Sequence, residues 1–388
     1  MNDLENYKAI LDAYFGGGTS TFDTTSGTTN EVLGALNDTN FAAFKSAFIE
    51  RLKRLASLYS DQESSRSHIL ETLNLLAYNS NWEGAYAELV AFDFLNSDNH
   101  WLLTPIKLSN SANASETLAN VPNVPDVQDV QNVNLDGYYE DFGVWFDVKL
   151  LADKSGDILD GIITEVKKKL KIPGVVISPQ YPLDSDYKLF QHKRHELLEE
   201  LKNKINAAKQ PTFIQSKILS DLAYRLMWNG GVQMTVSTYD PYIHAEMHHK
   251  LLFTHVKKFL RFSPCLIVFV VFPWFSEMVT HQNPSSDLFY RALCRRFFCQ
   301  YAKDPNPAST SLLLKNFKGP ETLSQVTDKL SGVLFLEDTS IKSQDPNTQN
   351  INGFAYLNPN AVHKVSGPFR NYLSSLGFFV DDFEHDNY

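Results

Sequence analysis

Residues 132–151 read NVNLDGYYEDFGVWFDVKLL, and the fold turns on how this stretch pairs with itself. Two β-type runs, Val133 to Tyr139 and Val144 to Leu151, flank the polar turn Glu140-Asp141-Phe142-Gly143. Aromatic and branched residues on both sides of a Gly-ended turn are the signature of a hairpin. Pairing Glu140 with Gly143 across a two-residue loop sets Asp136 directly opposite Asp147. Opposite residues share a face, and Lys149 joins them because side chains alternate along a strand. The other face then carries Leu135, Tyr139, Val144, Phe146, Val148 and Leu150. Two acids facing each other on otherwise apolar strands repel, so a cation is expected between them: a lysine, or a lysine with a metal ion.

A third acid belongs with this pair. Trp82 to Leu95 (WEGAYAELVAFDFL) is predicted as a helix introduced by the capping-type residues Asn79, Ser80 and Asn81. Glu83 sits in the first turn, where a carboxylate suits the helix dipole. Asp93 has mixed neighbours and fits either a buried or an exposed setting. Glu88 lies on a stripe of small and apolar residues (Gly84, Ala85, Ala91, Phe92, Leu95) and needs a partner or a cation if buried there.

A helical Glu88, an Asp136 on one strand and Asp147-Val148-Lys149 on the next resemble the PD-(D/E)XK nuclease superfamily. The resemblance covers residues 80–151 well and the rest loosely; Leu135 stands where the family's motif has Pro. It implies an α/β (α+β) restriction-endonuclease-like core with a central mixed sheet flanked by helices. Cys265 to Phe272 (CLIVFVVF), apolar throughout and ended by Pro273, suits the later core strand. It further implies a Mg2+-dependent endonuclease, with Mn2+ as the alternative ion, whose metal ligands are Glu88, Asp136, Asp147 and the Val148 carbonyl. Lys149 would position or help deprotonate the attacking water and offset phosphate charge. Among substrates DNA comes ahead of RNA, by family base rate. The same association points to restriction or phage defence, as a homodimer or with a partner protein of a defence system. Two other classes remain open: an inactive nucleic-acid-binding or regulatory protein of this fold, and an RNase.

The rest of the chain sets the frame. Its 388 residues are 43% hydrophobic and 13% aromatic, enough for a large core, and the net charge of −10 argues against a surface that coats nucleic acid non-specifically. Cys265, Cys294 and Cys299 form no CxxC pair, so neither a disulfide framework nor a structural zinc site is indicated. With no basic leader followed by an apolar run, and no apolar run long enough to span a bilayer, a cytoplasmic protein without membrane attachment is expected.

Residues 1–78 are expected to form a helical N-terminal extension. Its predicted helices are 4–15, Ala42 to Tyr59 (Phe44, Phe48, Leu52 and Leu55 inward) and Ser67 to Tyr78, with 16–29 a Gly/Ser/Thr-rich connector. Lys45, Arg51, Lys53 and Arg54 read first as the solvated face of their helix, and second as a nucleic-acid contact. The nuclease-like core is placed at 79–301, with a strand at His100 to Leu108, a long loop at 109–132 and helices inserted at about 180–262. Predicted helices there are Ile158 to Leu170, Leu189 to Lys209, Phe213 to Trp228 and Tyr242 to Phe262, with a short strand at Gly174 to Ser178 and a helix at Leu288 to Tyr301. Residues 302–388 form a C-terminal addition with short strands at Leu330 to Leu336 and Phe354 to Leu357. The run Lys167, Lys168, Lys169, Lys171 reads first as a helix C-terminal cluster complementing the dipole, and second as a phosphate contact. His244 and His248, one helical turn apart, could share a zinc ion, with His255 extending the face. However, Ala245 stands where a metalloprotease helix needs Glu.

Overall fold

The structure, a computed structural model, describes residues 3–15, 30–60, 63–77, 82–96, 135–152, 154–170, 175–180, 187–208, 210–220, 222–228, 240–260, 262–273, 286–303, 322–340, 351–384 and 386. The expected strand at His100 to Leu108, the loop at 109–132, the connector at 16–29 and Lys171 lie outside the described residues. The chain divides into two compact units. Unit 1 comprises Met1–Leu151, Lys250–Phe275 and Cys294–Tyr388; unit 2 comprises Ala152–His249 and Ser276–Leu293.

Unit 1 is built on a mixed six-stranded sheet flanked by helices. In chain order its strands are β1 (Gly137–Tyr139), β2 (Val144–Leu150), β6 (Cys265–Val271), β7 (Gly332–Asp338), β8 (Ile351–Leu357) and β9 (Phe379–Asp381), and they lie in that spatial order. β1 runs antiparallel to β2; β2, β6 and β7 are mutually parallel; β8 reverses and β9 runs parallel to it. The central position of β6 explains its unbroken apolar sequence: with a neighbour on each edge and packing on each face, all seven of its residues are buried.

Helices α1 (Asp3–Phe15), α2 (Glu31–Asn37), α3 (Ala42–Leu58), α4 (Glu63–Ala77) and α5 (Trp82–Phe94) belong to the same unit. Their apolar stripes, including Leu11, Phe48, Leu52, Leu73 and Leu89, share one buried cluster with Phe146, Val148, Leu266, Val268 and Leu334 of the sheet. At roughly 1.5–3 kcal/mol for each buried large side chain, this shared cluster is the main favourable term. The β-strands after residue 302 are thus part of the central sheet, and the N-terminal helices part of its core.

Unit 2 holds α6 (Lys154–Leu170), β3 (Val175–Gln180), α7 (Tyr187–Ala207), β4 (Thr212–Gln215), β5 (Ala223–Trp228) and α8 (Pro241–Met247). Its three strands form an antiparallel sheet in the order β3-β5-β4, and α6 and α7 pack Ile162, Val166, Leu197 and Leu201 with Ile214, Tyr224 and Leu226.

The expected helix Phe213 to Trp228 is instead the β4–β5 hairpin. Ser216 holds its turn: the hydroxyl donates to Glu200 at 2.6 Å and accepts the N–H groups of Ile218 and Leu219. The expected helix Tyr242 to Phe262 is also broken. α8 ends at Met247, a 3-10 turn spans Leu252–His255, and the short helix α9 covers Val256–Phe259. His255 is thus on a different element from His244 and His248. The rings of the latter two lie 4.6 Å apart against Phe289, and burial, then the neighbouring His244 and His249, holds His248 down at about 3. Lys167, Lys168 and Lys169 are exposed in the last turn of α6, and Lys169 pairs with Glu165 at 2.8 Å.

Candidate active site

The hairpin register places the acids. Tyr139 pairs with Val144, Tyr138 with Trp145 and Gly137 with Phe146. This is the expected register, closed by four residues rather than two. Glu140–Phe142 form a 3-10 turn, and Gly143 takes φ +65°, a conformation glycine adopts without Cβ strain. Gly137 is fixed for another reason: a Cβ there would stand 2.1 Å from the Phe146 ring.

Regular pairing stops just before Asp136. Its N–H turns to the Phe146 carbonyl (3.2 Å), and its Oδ2 accepts the Val148 N–H at 2.6 Å. In an antiparallel pair that Val148 donor would otherwise meet a carbonyl of the continuing strand. Asp136 thus ends the β1–β2 ladder with its side chain and is pinned beside β2, one step short of a strict cross-strand partner of Asp147.

Asp147 is fully buried, and each of its oxygens carries an ammonium. Lys149 Nζ lies 2.9 Å from Oδ2, and Lys258, from α9, ion-pairs with Oδ1. Lys149 Nζ also donates to the Val148 carbonyl at 2.6 Å and lies 3.5 Å from Asp136 Oδ2. Three oxygens therefore surround one cation: Asp136 Oδ2, Asp147 Oδ2 and Val148 O. They are the same groups, Glu88 apart, that the sequence resemblance assigns to a metal.

Glu88, on α5, accepts from Thr72 Oγ1 at 3.2 Å. Burial first, then the neighbouring Asp136 carboxylate, pushes its carboxyl up to about 7, against the opposing pull of Lys149 and Thr72. Asp136 is also raised, by burial and by Asp147, with Lys149 and Lys258 pulling the other way. Lys149 is held in its ammonium form by Asp136 and Asp147 in spite of its burial. His255 stands close enough to Lys149, Lys258 and Asp136 to feel their charges; burial, then the two lysines, holds it at about 3, so it is neutral at neutral pH.

All four sequence-predicted side chains, Glu88, Asp136, Asp147 and Lys149, fall in one electrostatic neighbourhood. They do not form a ready three-carboxylate cage: among the described residues no group of three or more His, Cys, Asp or Glu is arranged to hold a metal ion. The fit to a hard divalent cation lies in the donor set. Two carboxylate oxygens and a backbone carbonyl already converge on a positive charge, and oxygen-only donors are what Mg2+ takes.

Sequence reasoning missed Lys258, which is 111 residues from Asp147 in the chain and has no local pattern tying it there. It also misread Arg51. That guanidinium is buried, 3.1 Å from Asp93 and 3.5 Å from Asp338. Asp93 is further gripped by Arg54 through two 2.7 Å bonds, which settles Asp93 as a buried structural acid.

Comparison with protein-family models, curated proteins and solved structures finds no match to this chain. No helix among the described residues is long and apolar enough to cross a membrane.

Proposed function

We propose that this protein is a Mg2+-dependent endonuclease of the PD-(D/E)XK type, hydrolysing phosphodiester bonds in DNA. The observation that carries the reading is the convergence of Asp136 Oδ2, Asp147 Oδ2 and Val148 O on the Lys149 ammonium, with Glu88 beside them. Supporting it in the backbone is β6, parallel and adjacent to β2, where the family's later core strand belongs.

Asp136, Asp147 and the Val148 carbonyl would hold the ion. A bound divalent ion supplies Lewis-acid stabilisation of phosphate charge and makes water a better nucleophile. Lys149, kept protonated by its neighbours, serves as a hydrogen-bond donor and counter-charge to a phosphate oxygen, and not as the base. Glu88 is suited to accept the water's proton. Its carboxylate titrates near neutrality, where a general base works best, and Thr72 fixes its orientation.

A second reading has one observation of its own. Lys149 fills the oxygen pocket, and among the described residues no three-acid group stands ready, as in a nucleic-acid-binding protein of the same fold without activity. The test is incubation with plasmid, single-stranded DNA and RNA, in Mg2+ or EDTA, for wild type and Lys149→Ala. Mg2+-dependent cleavage of DNA that falls about a hundredfold or more in Lys149→Ala is expected. Cleavage of RNA alone makes it an RNase. Cleavage unchanged in Lys149→Ala overturns the assignment, and binding without cleavage favours the second reading.

A further inference from the structure

Lys258 enters the site from outside the hairpin, and its position separates it from Lys149. Lys149 Nζ sits inside the oxygen pocket, on Asp136 Oδ2, Asp147 Oδ2 and Val148 O. Lys258 sits on the far oxygen, Asp147 Oδ1, which is not one of the three oxygens that hold Lys149. A cation entering the pocket must displace Lys149 but can leave Lys258 in place. The Lys258 side chain is 22% exposed, whereas that of Asp147 is fully buried.

Charge counting assigns the consequence. Glu88, Asp136 and Asp147 bring three negative charges when ionised, and Lys149 and Lys258 bring two positive ones. With a divalent ion added, the site carries one net positive charge, the complement of a single phosphodiester. Without Lys258 the loaded site is neutral and has no net draw on an anion. We infer that Lys258 is a substrate-binding residue of this site, whose ammonium turns the loaded acidic cluster into a receptor for one phosphodiester group. The inference rests on the nuclease reading and adds to it a residue from α9 that the hairpin motif does not contain.

The alternative role for Lys258 is an anchor that merely holds Asp147 in place, and the two roles part in measurement. Full-length wild type, Lys258→Met and Lys258→Arg are compared by two readouts. Calorimetry follows binding of Ca2+, which takes the same oxygen ligands. Fluorescence anisotropy in Ca2+ follows a short labelled single-stranded DNA and the RNA of the same sequence, over a range of salt. The inference predicts that Lys258→Met binds Ca2+ at least as well as wild type, because a competing charge has left Asp147. It also predicts about tenfold weaker oligonucleotide binding and a salt slope lower by about one, the mark of one lost phosphate contact. Lys258→Arg keeps both near wild type. Loss of Ca2+ binding in Lys258→Met makes Lys258 an anchor and overturns the inference. Unchanged oligonucleotide affinity overturns it as well, while Mg2+-dependent cleavage by that same variant would leave the nuclease reading standing. A wild type that takes up Ca2+ but binds neither nucleic acid overturns both.

Discussion

Two clusters of buried charge lie in unit 1 and share helix α5, and they differ in how fully their acids are matched. Around Asp93 and Asp338 the balance closes. Arg51 and Arg54 bring two positive charges to the two acids, Tyr86 donates to Asp338 at 3.3 Å, and Ser340 binds the other Asp338 oxygen. Five residues earlier on the same helix, Glu88 belongs to a cluster with three acids and two lysines, and two of those acids, Glu88 and Asp136, are pushed up by burial and by a neighbouring carboxylate. A balanced, fully bonded cluster holds helices to a sheet. A cluster with excess acid, its oxygens gathered on a lysine, offers a further cation a negatively charged set of oxygen donors.

The sharpest way to break this contrast is to remove one cation from each cluster. Arg51→Met takes from the core the guanidinium that Asp93 and Asp338 share, with Arg54 staying on Asp93, and is expected to cost about 3–5 kcal/mol in urea unfolding, a loss Mg2+ does not recover. Lys149→Met is expected to cost less, about 1–2 kcal/mol, because Lys258 remains on Asp147. Millimolar Mg2+ should recover that loss, since an ion that binds only the folded state stabilises it. Equal losses with no Mg2+ effect in either variant would erase the distinction.

Glu88 gives the cluster a pH signature. Its folded carboxyl is raised above its unfolded value, so the folded state holds the proton more tightly and stability falls as pH rises from about 4.5 through 7. Relative to Glu88→Gln, wild type should lose on the order of 2–3 kcal/mol between pH 5 and pH 8 in the absence of divalent ions. His248 and His255, held down at about 3, act in the opposite sense below their ordinary value, and the difference between the two proteins removes them. A smaller effect follows for the ion: apparent Mg2+ affinity by calorimetry should weaken as pH drops below about 7, and Glu88→Gln should flatten that dependence.

What the sequence made legible follows from where the determinants lie. The hairpin register and the Asp147-Val148-Lys149 triplet could be read because alternation along β2 is local, and β6 because burial on both faces leaves an unbroken apolar run. Residues 213–228 misled because Ile214, Ile218, Leu222 and Leu226 recur every fourth residue, a spacing that suits a helix. The turn at Ser216, held partly by Glu200, decides it. Arg51 looked solvated because its partners Asp93 and Asp338 lie 42 and 287 residues away. Lys258 escaped for the same reason. Local pattern located the pocket, while tertiary contact supplied its second lysine.

The most direct test of the central claim is the position of the ion itself. Anomalous diffraction from crystals grown with Mn2+ should give a peak within about 2.0–2.3 Å of Asp136 and Asp147 oxygens and the Val148 carbonyl, with Lys149 Nζ moved out of that pocket and Lys258 still beside Asp147. An empty pocket at saturating Mn2+, with Lys149 still seated on those three oxygens, would contradict it.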